Sequence, residues 1–335
     1  MPDPSPQEPS TLPRIAPGSA FVSWENLNGR PNAVVDARAT HGTLLTLSHH
    51  PDAGSPAQLR ADTSTAIVDR FLALPDAGRE AVDVVLTNDH YDEDGVLGLW
   101  LLIEQPGQGD PTRSLACAAA AAGDFATWSR PEAAWCAIAV MALAEAPTTP
   151  LPGVRRALRR ALGTDPAGAL YAEVLPRVRR VLEDPERFTE LWQPRWTSVT
   201  RDLDRLDGGM VSLEEDPAAD LAIVETDEPI DDLALMARTP MSRVLTIGGG
   251  GTTLRYRYET WVEFASRPLP PRLPLGPLAE RLADGEEGLD WRFDDVAAPR
   301  PRLWSCDFHG RPAPSAQEPA AIRAIVADYL GPGGT

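Results

Sequence analysis

The chain contains no lysine, and all 31 of its basic residues are arginine, against 49 aspartates and glutamates. This absence excludes several enzyme classes, because phosphate-loop nucleotidases, Schiff-base enzymes and protein kinases each need a lysine side chain. The composition is rich in alanine, arginine, proline and glycine, as in proteins from GC-rich genomes. Codon usage is therefore the simplest explanation of the missing lysine, and the exclusions hold in either case.

A basic surface, a long apolar run and paired cysteines are also missing. The net charge of −18 argues against nucleic acid or an anionic membrane as a partner, since phosphates bind basic faces. No run approaches the roughly 18 apolar residues of a membrane span, and the proline-rich N-terminus lacks the pattern of a signal peptide. Cys117, Cys136 and Cys306 are far apart and odd in number, which indicates reduced thiols. We therefore expect a cytoplasmic globular protein, and a homodimer is compatible with these features.

The first third of the chain alternates between strand and helix patterns. Short β-rich runs occupy Asn32–Asp36, Thr43–Ser48 and Val82–Asn88, and helical patterns occupy Thr63–Leu74 and Val96–Ile103. This alternation predicts an α/β fold with a mainly parallel sheet and helices on both faces. A helical middle region follows from about Ser114 to Leu206.

Strand patterns return near the C-terminus, which predicts a smaller α+β domain. Asp220–Glu225, Arg243–Ile247 and the alternating run Leu254–Phe264 read as strands, and Gly248–Gly251 reads as a hairpin loop. The expected organisation is a flexible tail over residues 1–19, an α/β domain with a helical insertion over 20–212, and the α+β domain over 213–335.

The segment with the most chemical information joins the third strand to its helix. His90, Asp92 and Asp94 follow an apolar strand, and Gly95 leads into an apolar helix. Ligands of open α/β sheets bind at the carboxyl ends of the strands, where these residues lie. Their oxygen and nitrogen atoms suit a divalent ion such as Mn²⁺. Clustered carboxylates are also costly unless a cation compensates them. An exposed acidic loop is the alternative.

This segment resembles the first motif of the DHH phosphoesterase superfamily, which is a strand, His-x-Asp-x-Asp-Gly and a helix. Ser48-His49-His50, followed by a Ser-Thr helix start, resembles the Asp-His-His motif of that family, and Val34-Val35-Asp36 resembles its single-aspartate strand end. The resemblance implies a two-metal Mn²⁺ (or Mg²⁺) centre that hydrolyses phosphate esters or polyphosphate. It makes His90, Asp92, Asp94 and His49 catalytic candidates and metal ligands, with Asp36 and Asp124 as further ligands.

Two departures from the family pattern leave a second interpretation open. Ser48 stands where the family has an aspartate, and the His-His element precedes the His-x-Asp-x-Asp-Gly segment instead of following it. The first interpretation is a metal-dependent hydrolase that acts on a small phosphorylated substrate. The alternative is a non-catalytic binding or scaffold protein that keeps a degenerate phosphoesterase fold.

Two further expectations concern side-chain direction on strands. Because neighbouring strand residues point to opposite faces, at most one of His49 and His50 is expected in a site. Arg255 and Arg257 are two residues apart and share a face. With no lysine in the chain, these two arginines are candidates for binding the substrate anion, and ordinary surface alternation is the competing interpretation.

Overall fold

The computed structural model of the chain describes residues 12–145 and 165–331. These residues fall into two compact units. The first unit runs to Trp196 and includes the short segment Glu263–Ser266, and the second comprises Thr197–Val262 and the chain from Arg267 onwards.

The first unit is built on short parallel strands. They are β1 (Arg14–Ile15), β2 (Asn32–Val35), β3 (Thr43–Leu47), β4 (Ala81–Val82) and β5 (Val85–Thr87). Three of them form a parallel sheet in the order β3-β2-β5, and β1 pairs with β4 in parallel. The carboxyl ends of β2, β3 and β5 therefore meet at one edge of the sheet. The chain passes from β2 to β3 on one side and returns to β5 on the other, so the end of β2 is a topological switch point.

Helices follow or connect these strands. They are α1 (Ser64–Ala73), α2 (Glu93–Glu104), α3 (Pro111–Phe125), α4 (Pro131–Ala144), α5 (Pro166–Glu183) and α6 (Thr189–Asp207), the last of which continues into the second unit. Polar N-cap residues define where α1 and α2 begin: the Thr63 side chain accepts a hydrogen bond from Ala66 N–H, and the Asp92 side chain accepts one from Gly95 N–H. Within residues 12–145 and 165–331, every helix is too short or too polar to cross a lipid bilayer.

Helix α2 is the central helix of the first unit. Every residue from Asp94 to Leu102 is buried, as expected for a helix with apolar residues on all sides. It packs against α1, α3 and β2. Gly98 permits this approach, because a Cβ atom there would lie 2.8 Å from Val35 Cγ1 and 3.3 Å from Thr65 Oγ1.

The second unit contains one mixed sheet. Its elements are β6 (Ser212–Asp216), β7 (Leu221–Glu225), α7 (Asp232–Leu235), β8 (Arg243–Gly248), β9 (Gly251–Tyr256), α8 (Gly276–Ala283), β10 (Asp290–Phe293), β11 (Arg302–Cys306) and α9 (Pro319–Leu330). The strand order is β10-β11-β9-β8-β7-β6, in which β7 and β8 are parallel and the other pairs are antiparallel. Leu278 of α8 and Val326 of α9 share a buried core with Leu245 and Leu254 of the sheet.

The expected fold class is confirmed: an α/β unit precedes a C-terminal region with a mixed sheet, and Gly248 pairs with Gly251 across the predicted hairpin. Three details differ. Strand β9 ends at Tyr256, so a strand reaching Phe264 is wrong; a turn of 3₁₀ helix at Tyr258–Thr260 follows. The strand expected over Val82–Asn88 is divided between β4 and β5. Of the flexible tail expected over residues 1–19, residues 1–11 lie outside the described residues; beyond them, Arg14–Ile15 forms a strand and Ile15 is buried.

Candidate metal centre

Asp36 lies directly after β2 at the switch point. Its backbone adopts a left-handed conformation, with φ at 56°, which aspartate tolerates better than most residues. The side chain is fully buried, and Ser64 Oγ at the start of α1 donates a 2.7 Å hydrogen bond to Asp36 Oδ1. This conformation turns the carboxylate across the end of the sheet.

His49 follows the end of β3, and its ring orientation is set by two residues of the α1 start. The His49 amide donates to Ser64 Oγ at 3.1 Å, and His49 Nδ1 donates to the Asp62 carbonyl at 2.5 Å. Because a carbonyl only accepts, Nδ1 carries a proton, and Nε2 faces the carboxylates. His49 Nε2 lies 3.4 Å from Asp36 Oδ1, 3.6 Å from Asp94 Oδ2 and 3.5 Å from Asp124 Oδ2.

His50 also lies at the cluster, so the expectation that at most one of the two histidines enters a site is wrong. Strand β3 ends at Leu47, and the alternation of a strand does not apply to His49 and His50. The two rings stack with centroids 5.3 Å apart, and His50 Nε2 lies 3.4 Å from Asp36 Oδ1. Ser48 stays outside the ligand cluster: its Oγ accepts from the His50 amide and its own amide donates to Ser55 Oγ, which fixes the turn.

His90 and Asp92 lie at the end of β5 and the start of α2. His90 Nδ1 contacts Asp89 Oδ1 at 2.7 Å, and His90 Nε2 lies 3.0 Å from Asp92 Oδ2 and 3.4 Å from Asp36 Oδ2. Asp92 Oδ1 caps α2 by accepting from Gly95 N–H at 2.8 Å. One oxygen of Asp92 therefore orients the helix and the other faces His90.

Asp94 lies in the first turn of α2, because the helix begins at Glu93 and not at Val96 as expected. Its carboxylate accepts the Ser64 and Thr65 backbone amides at 2.6 and 2.7 Å, at the N-terminus of α1. Thr65 Oγ1 donates in return to the Asp94 carbonyl at 2.9 Å. Asp94 thus joins the first turns of α1 and α2 and presents Oδ2 toward His49.

Asp124 comes from the C-terminal end of α3 and is 6% exposed. The preceding Gly123 allows α3 to approach α2, because a Cβ atom there would lie 2.4 Å from Glu93 Cβ. The structure therefore brings together all six residues expected as metal ligands, and adds His50.

These side chains form three overlapping groups, in each of which the potential ligand atoms all lie within 4.8 Å of one another. The groups are Asp36–His49–His50, Asp36–His90–Asp92 and His49–Asp94–Asp124. Exposure differs within the cluster: the side chains of His90 and Asp92 are 38% and 25% exposed among the described residues, whereas those of His49 and Asp94 are fully buried.

The electrostatics of the cluster reflect burial and crowded carboxylates. Burial, together with the negative charges of Asp92 and Asp94, raises the pKa of Asp36 well above its usual value. Burial and the same neighbours raise the pKa of Asp124, and burial is the main cause of the raised pKa of Asp94. Several carboxyl groups thus resist ionisation together, which a bound cation would relieve.

The pKa values of His50 and His90 shift in opposite directions. Burial, with the adjacent charges of His49 and His90, lowers the pKa of His50 to about 4, so this ring is neutral at pH 7. Burial also acts to lower the pKa of His90, but contacts with Asp36, Asp89 and Asp92 outweigh it and raise the pKa. Burial acts against ionisation of Asp92 too, yet its contact with His90 lowers the pKa of Asp92 to about 2.

The donor set fits a hard or borderline divalent cation. It consists of carboxylate oxygens and imidazole nitrogens, which suit Mn²⁺, Mg²⁺ or Zn²⁺ better than a soft ion. Asp36 Oδ2 is buried and accepts no hydrogen bond of normal geometry from any residue in the described ranges. An unsatisfied buried carboxylate oxygen is costly, and a cation is one means of satisfying it.

The two arginines expected at the substrate both lie in the second unit and contact carboxylates there. Arg255 donates to both carboxylate oxygens of Asp232, at 2.8 and 2.5 Å. Arg257 lies beyond the end of β9, is buried, and contacts Glu259 at 2.8 Å. The shared strand face is therefore not observed, and substrate binding by this pair stays a prediction that these contacts do not support.

The sequence analysis assigned no role in the site to the residues that orient the ligands. Ser64 and Thr65 orient Asp36, His49 and Asp94 from the first turn of α1. Asn88, Asp89 and Tyr171 contact His90. The Asp62-Thr63-Ser64-Thr65 run is a visible signal, since such residues supply helix caps, but nothing local marks Tyr171.

The fold and the cluster together define an α/β protein with a candidate metal centre at the carboxyl edge of a parallel sheet. The chain belongs to the family of unknown function DUF6687, whose family model matches residues 18–330. No curated protein matches the chain. Among solved structures it is similar to RecJ from Thermus thermophilus in complex with Mg²⁺, at 14% identity and a TM-score of 0.25. That alignment covers 90% of this chain and 50% of RecJ, so the chain spans about half the length of that protein.

Proposed function

We propose that the protein is a divalent-metal-dependent phosphohydrolase of the DHH type that acts on a small phosphorylated substrate. The observation that carries the proposal is the position of Asp36. Its Oδ1 lies 3.4 Å from His49 Nε2 and its Oδ2 lies 3.4 Å from His90 Nε2, so the two oxygens face two different groups of ligands. Asp36 could therefore contribute a ligand atom to either group.

The proposed centre assigns the ligands by these groups. His90 and Asp92 with Asp36 would hold one cation, and His49, Asp94 and Asp124 would hold the second. A pair of divalent cations would supply Lewis-acid stabilisation of a phosphoryl group. Mn²⁺ is the proposed ion, with Mg²⁺ as the other candidate, because both prefer oxygen-rich ligand sets.

The protein's own residues supply orientation and proton exchange. The Asp62 carbonyl holds the His49 ring, Ser64 Oγ holds the His49 amide, and Asp89 holds His90 Nδ1, so each Nε2 faces the carboxylates. His50 is neutral at pH 7 and is 9% exposed. A neutral imidazole both donates and accepts a hydrogen bond, which suits it to contact a phosphoryl oxygen or a leaving group.

The alternative, a binding or scaffold protein with a degenerate centre, is motivated by Ser48. This residue supplies no carboxylate, and its hydrogen bonds stay within its own turn. Asp94 and Asp124 provide two buried carboxylates on the same side of His49, which favours a complete centre.

Metal analysis tests the proposal. Protein purified from a culture supplemented with Mn²⁺ should contain about one to two divalent ions per chain by elemental analysis, and Asp36→Asn should lose most of them. Asp202→Asn is the matched control, since Asp202 is equally buried but lies in the second unit beside Arg205. A wild-type protein that neither contains nor binds Mn²⁺, Mg²⁺ or Zn²⁺ would refute the metal-dependent function.

Substrate screening separates the enzyme from the scaffold protein. The metal-loaded protein should release phosphate or nucleotide from at least one of pyrophosphate, nucleotides, cyclic dinucleotides and sugar phosphates, and Asp92→Asn should abolish release. Saturable binding of such a compound without turnover would instead support the scaffold protein.

A further inference from the structure

The backbone N–H and the backbone carbonyl of His90 are each held by a side chain outside the ligand groups. Asn88 Oδ1 accepts from the His90 amide at 3.2 Å, and Tyr171 Oη donates to the His90 carbonyl at 2.8 Å. Asn88 Nδ2 also donates to Tyr171 Oη at 3.0 Å, so the two side chains form one continuous chain of hydrogen bonds. Such chains strengthen each member by polarisation.

Tyr171 reaches this position from helix α5. It is fully buried, and its ring packs against Phe21 and Tyr91 with centroids 4.8 and 5.2 Å away. A buried tyrosine hydroxyl needs a partner, and here both of its hydrogen-bonding capacities are directed to the segment that carries His90.

Gly95 is part of the same arrangement. A Cβ atom at this position would lie 2.3 Å from Asn88 Nδ2 and 2.6 Å from Tyr171 Oη. Both distances are shorter than any real Cβ contact, and the backbone of Gly95 does not need a positive φ. The glycine of the His-x-Asp-x-Asp-Gly segment therefore makes room for the Asn88–Tyr171 hydrogen bond.

We propose that Tyr171 is a positioning residue of the candidate metal centre, acting with Asn88 to fix the His90 backbone. The proposal rests on the proposed function. His90 Nε2 lies 3.0 Å from Asp92 Oδ2 and 3.4 Å from Asp36 Oδ2, and the backbone must be fixed for these distances to hold. Residues that orient metal ligands typically change metal affinity or activity by about 10–100-fold when they are replaced.

Tyr171→Phe tests the proposal, because it removes only the hydroxyl and keeps the packed ring. Tyr329→Phe is the matched control: Tyr329 Oη also donates to a backbone carbonyl, that of Pro274, but it lies in the second unit. Mn²⁺ titration by calorimetry should show an affinity about 10-fold lower for Tyr171→Phe and an unchanged affinity for Tyr329→Phe. An affinity within about twofold of wild type for Tyr171→Phe, with a melting temperature lowered as in the control, would overturn the proposal.

A second measurement distinguishes failure of this inference from failure of the proposed function. The chain has five histidines, so the ring resonances of ¹⁵N-histidine-labelled protein can be assigned with His90→Gln. Tyr171→Phe should shift or broaden the His90 signals in metal-free protein, and Tyr329→Phe should not. If wild type binds no divalent ion but His90 responds in this way, the metal centre is wrong and the positioning role stands. If His90 does not respond, the positioning role is wrong whatever the metal titration shows.

Discussion

Asp94→Asn should destabilise the metal-free protein, whereas Asp124→Asn should leave its stability unchanged or raise it, although both remove a buried carboxylate from one cluster. The Asp94 carboxylate accepts two backbone amides, those of Ser64 and Thr65, at 2.6 and 2.7 Å. An asparagine side chain has one carbonyl oxygen, so it can satisfy one of these amides, while its NH₂ group faces the other donor.

The cost for Asp94→Asn follows from that mismatch. Leaving a buried amide without an acceptor costs about 1–3 kcal/mol, and loss of a negative charge at the N-terminus of α1 adds about 0.3–1 kcal/mol. Asparagine carries no charge, so the variant avoids the desolvation of a carboxylate that raises the pKa of Asp94, and this offsets part of the cost. A net loss of about 2 kcal/mol corresponds to roughly 4–8 °C in melting temperature for a unit of this size.

Asp124→Asn should be neutral or stabilising in the same preparation. Burial and the charges of Asp94, Asp92 and Asp36 raise the pKa of Asp124 well above its usual value. A carboxyl group with a raised pKa in the folded state binds its proton more tightly than in the unfolded chain, so its contribution to stability falls as the pH rises from the unfolded to the folded pKa. As the pH rises from the unfolded to the folded pKa of Asp124, the stability of Asp124→Asn should therefore increase relative to that of wild type. Below the unfolded pKa, the two proteins should not differ in stability for this reason.

The assay is thermal unfolding followed by circular dichroism after treatment with a chelator, at several pH values from about 4 upwards, near the ordinary pKa of an aspartate. Mn²⁺ titration of the same samples should show weaker binding for both variants, since both lose a proposed ligand. Equal destabilisation of the two variants in the metal-free state would refute the reasoning, because it would mean that the hydrogen bonds from the backbone amides to Asp94 contribute nothing measurable to stability.

Two further predictions concern packing and thiol chemistry. Gly98→Ala should destabilise the protein by about 1–2 kcal/mol in urea unfolding, because the clash at 2.8 Å with Val35 Cγ1 outweighs the gain in helix propensity. Gly107→Ala is the control: open space surrounds that glycine, so the substitution should leave the stability unchanged. Burial raises the pKa values of Cys117 and Cys136 from 9.0 to about 12. At a pH of about 8, iodoacetamide should therefore alkylate them about 10³-fold more slowly than a thiol of ordinary pKa, and unfolding should restore the ordinary rate. Alkylation of the native protein at the rate of an ordinary thiol would contradict this.

Much of the candidate site could be predicted because its ligands follow local signals. Asp36, His49 and His90 each lie at the end of a predicted strand or within two residues after it, and parallel strands end at a common edge. The fold class follows from the same alternation of elements. The spacing of His90, Asp92 and Asp94 indicated a ligand segment, although it did not show that Asp94 lies inside the helix.

The errors have physical causes that sequence patterns do not contain. The rule of alternating faces placed His49 and His50 on opposite sides, but the strand ends before them and a serine turn brings both rings to Asp36. The alternation over Leu254–Phe264 predicted one long strand, but the sheet partners of β9 end near Tyr256, and a strand without partners does not continue.

The residues that orient the ligands were beyond prediction for a different reason. Tyr171 lies 81 positions from His90 in sequence, and only the packing of α5 brings its hydroxyl to the His90 carbonyl. The sequence places Gly95 only where the chain enters the helix, whereas in the structure its missing side chain leaves space for Tyr171 and Asn88. The ligands of such a centre can thus be found by motif, but the precision of the centre depends on contacts between distant segments. Substitutions at the motif therefore test which residues bind the ion, and substitutions at residues such as Tyr171 test what holds those ligands in place.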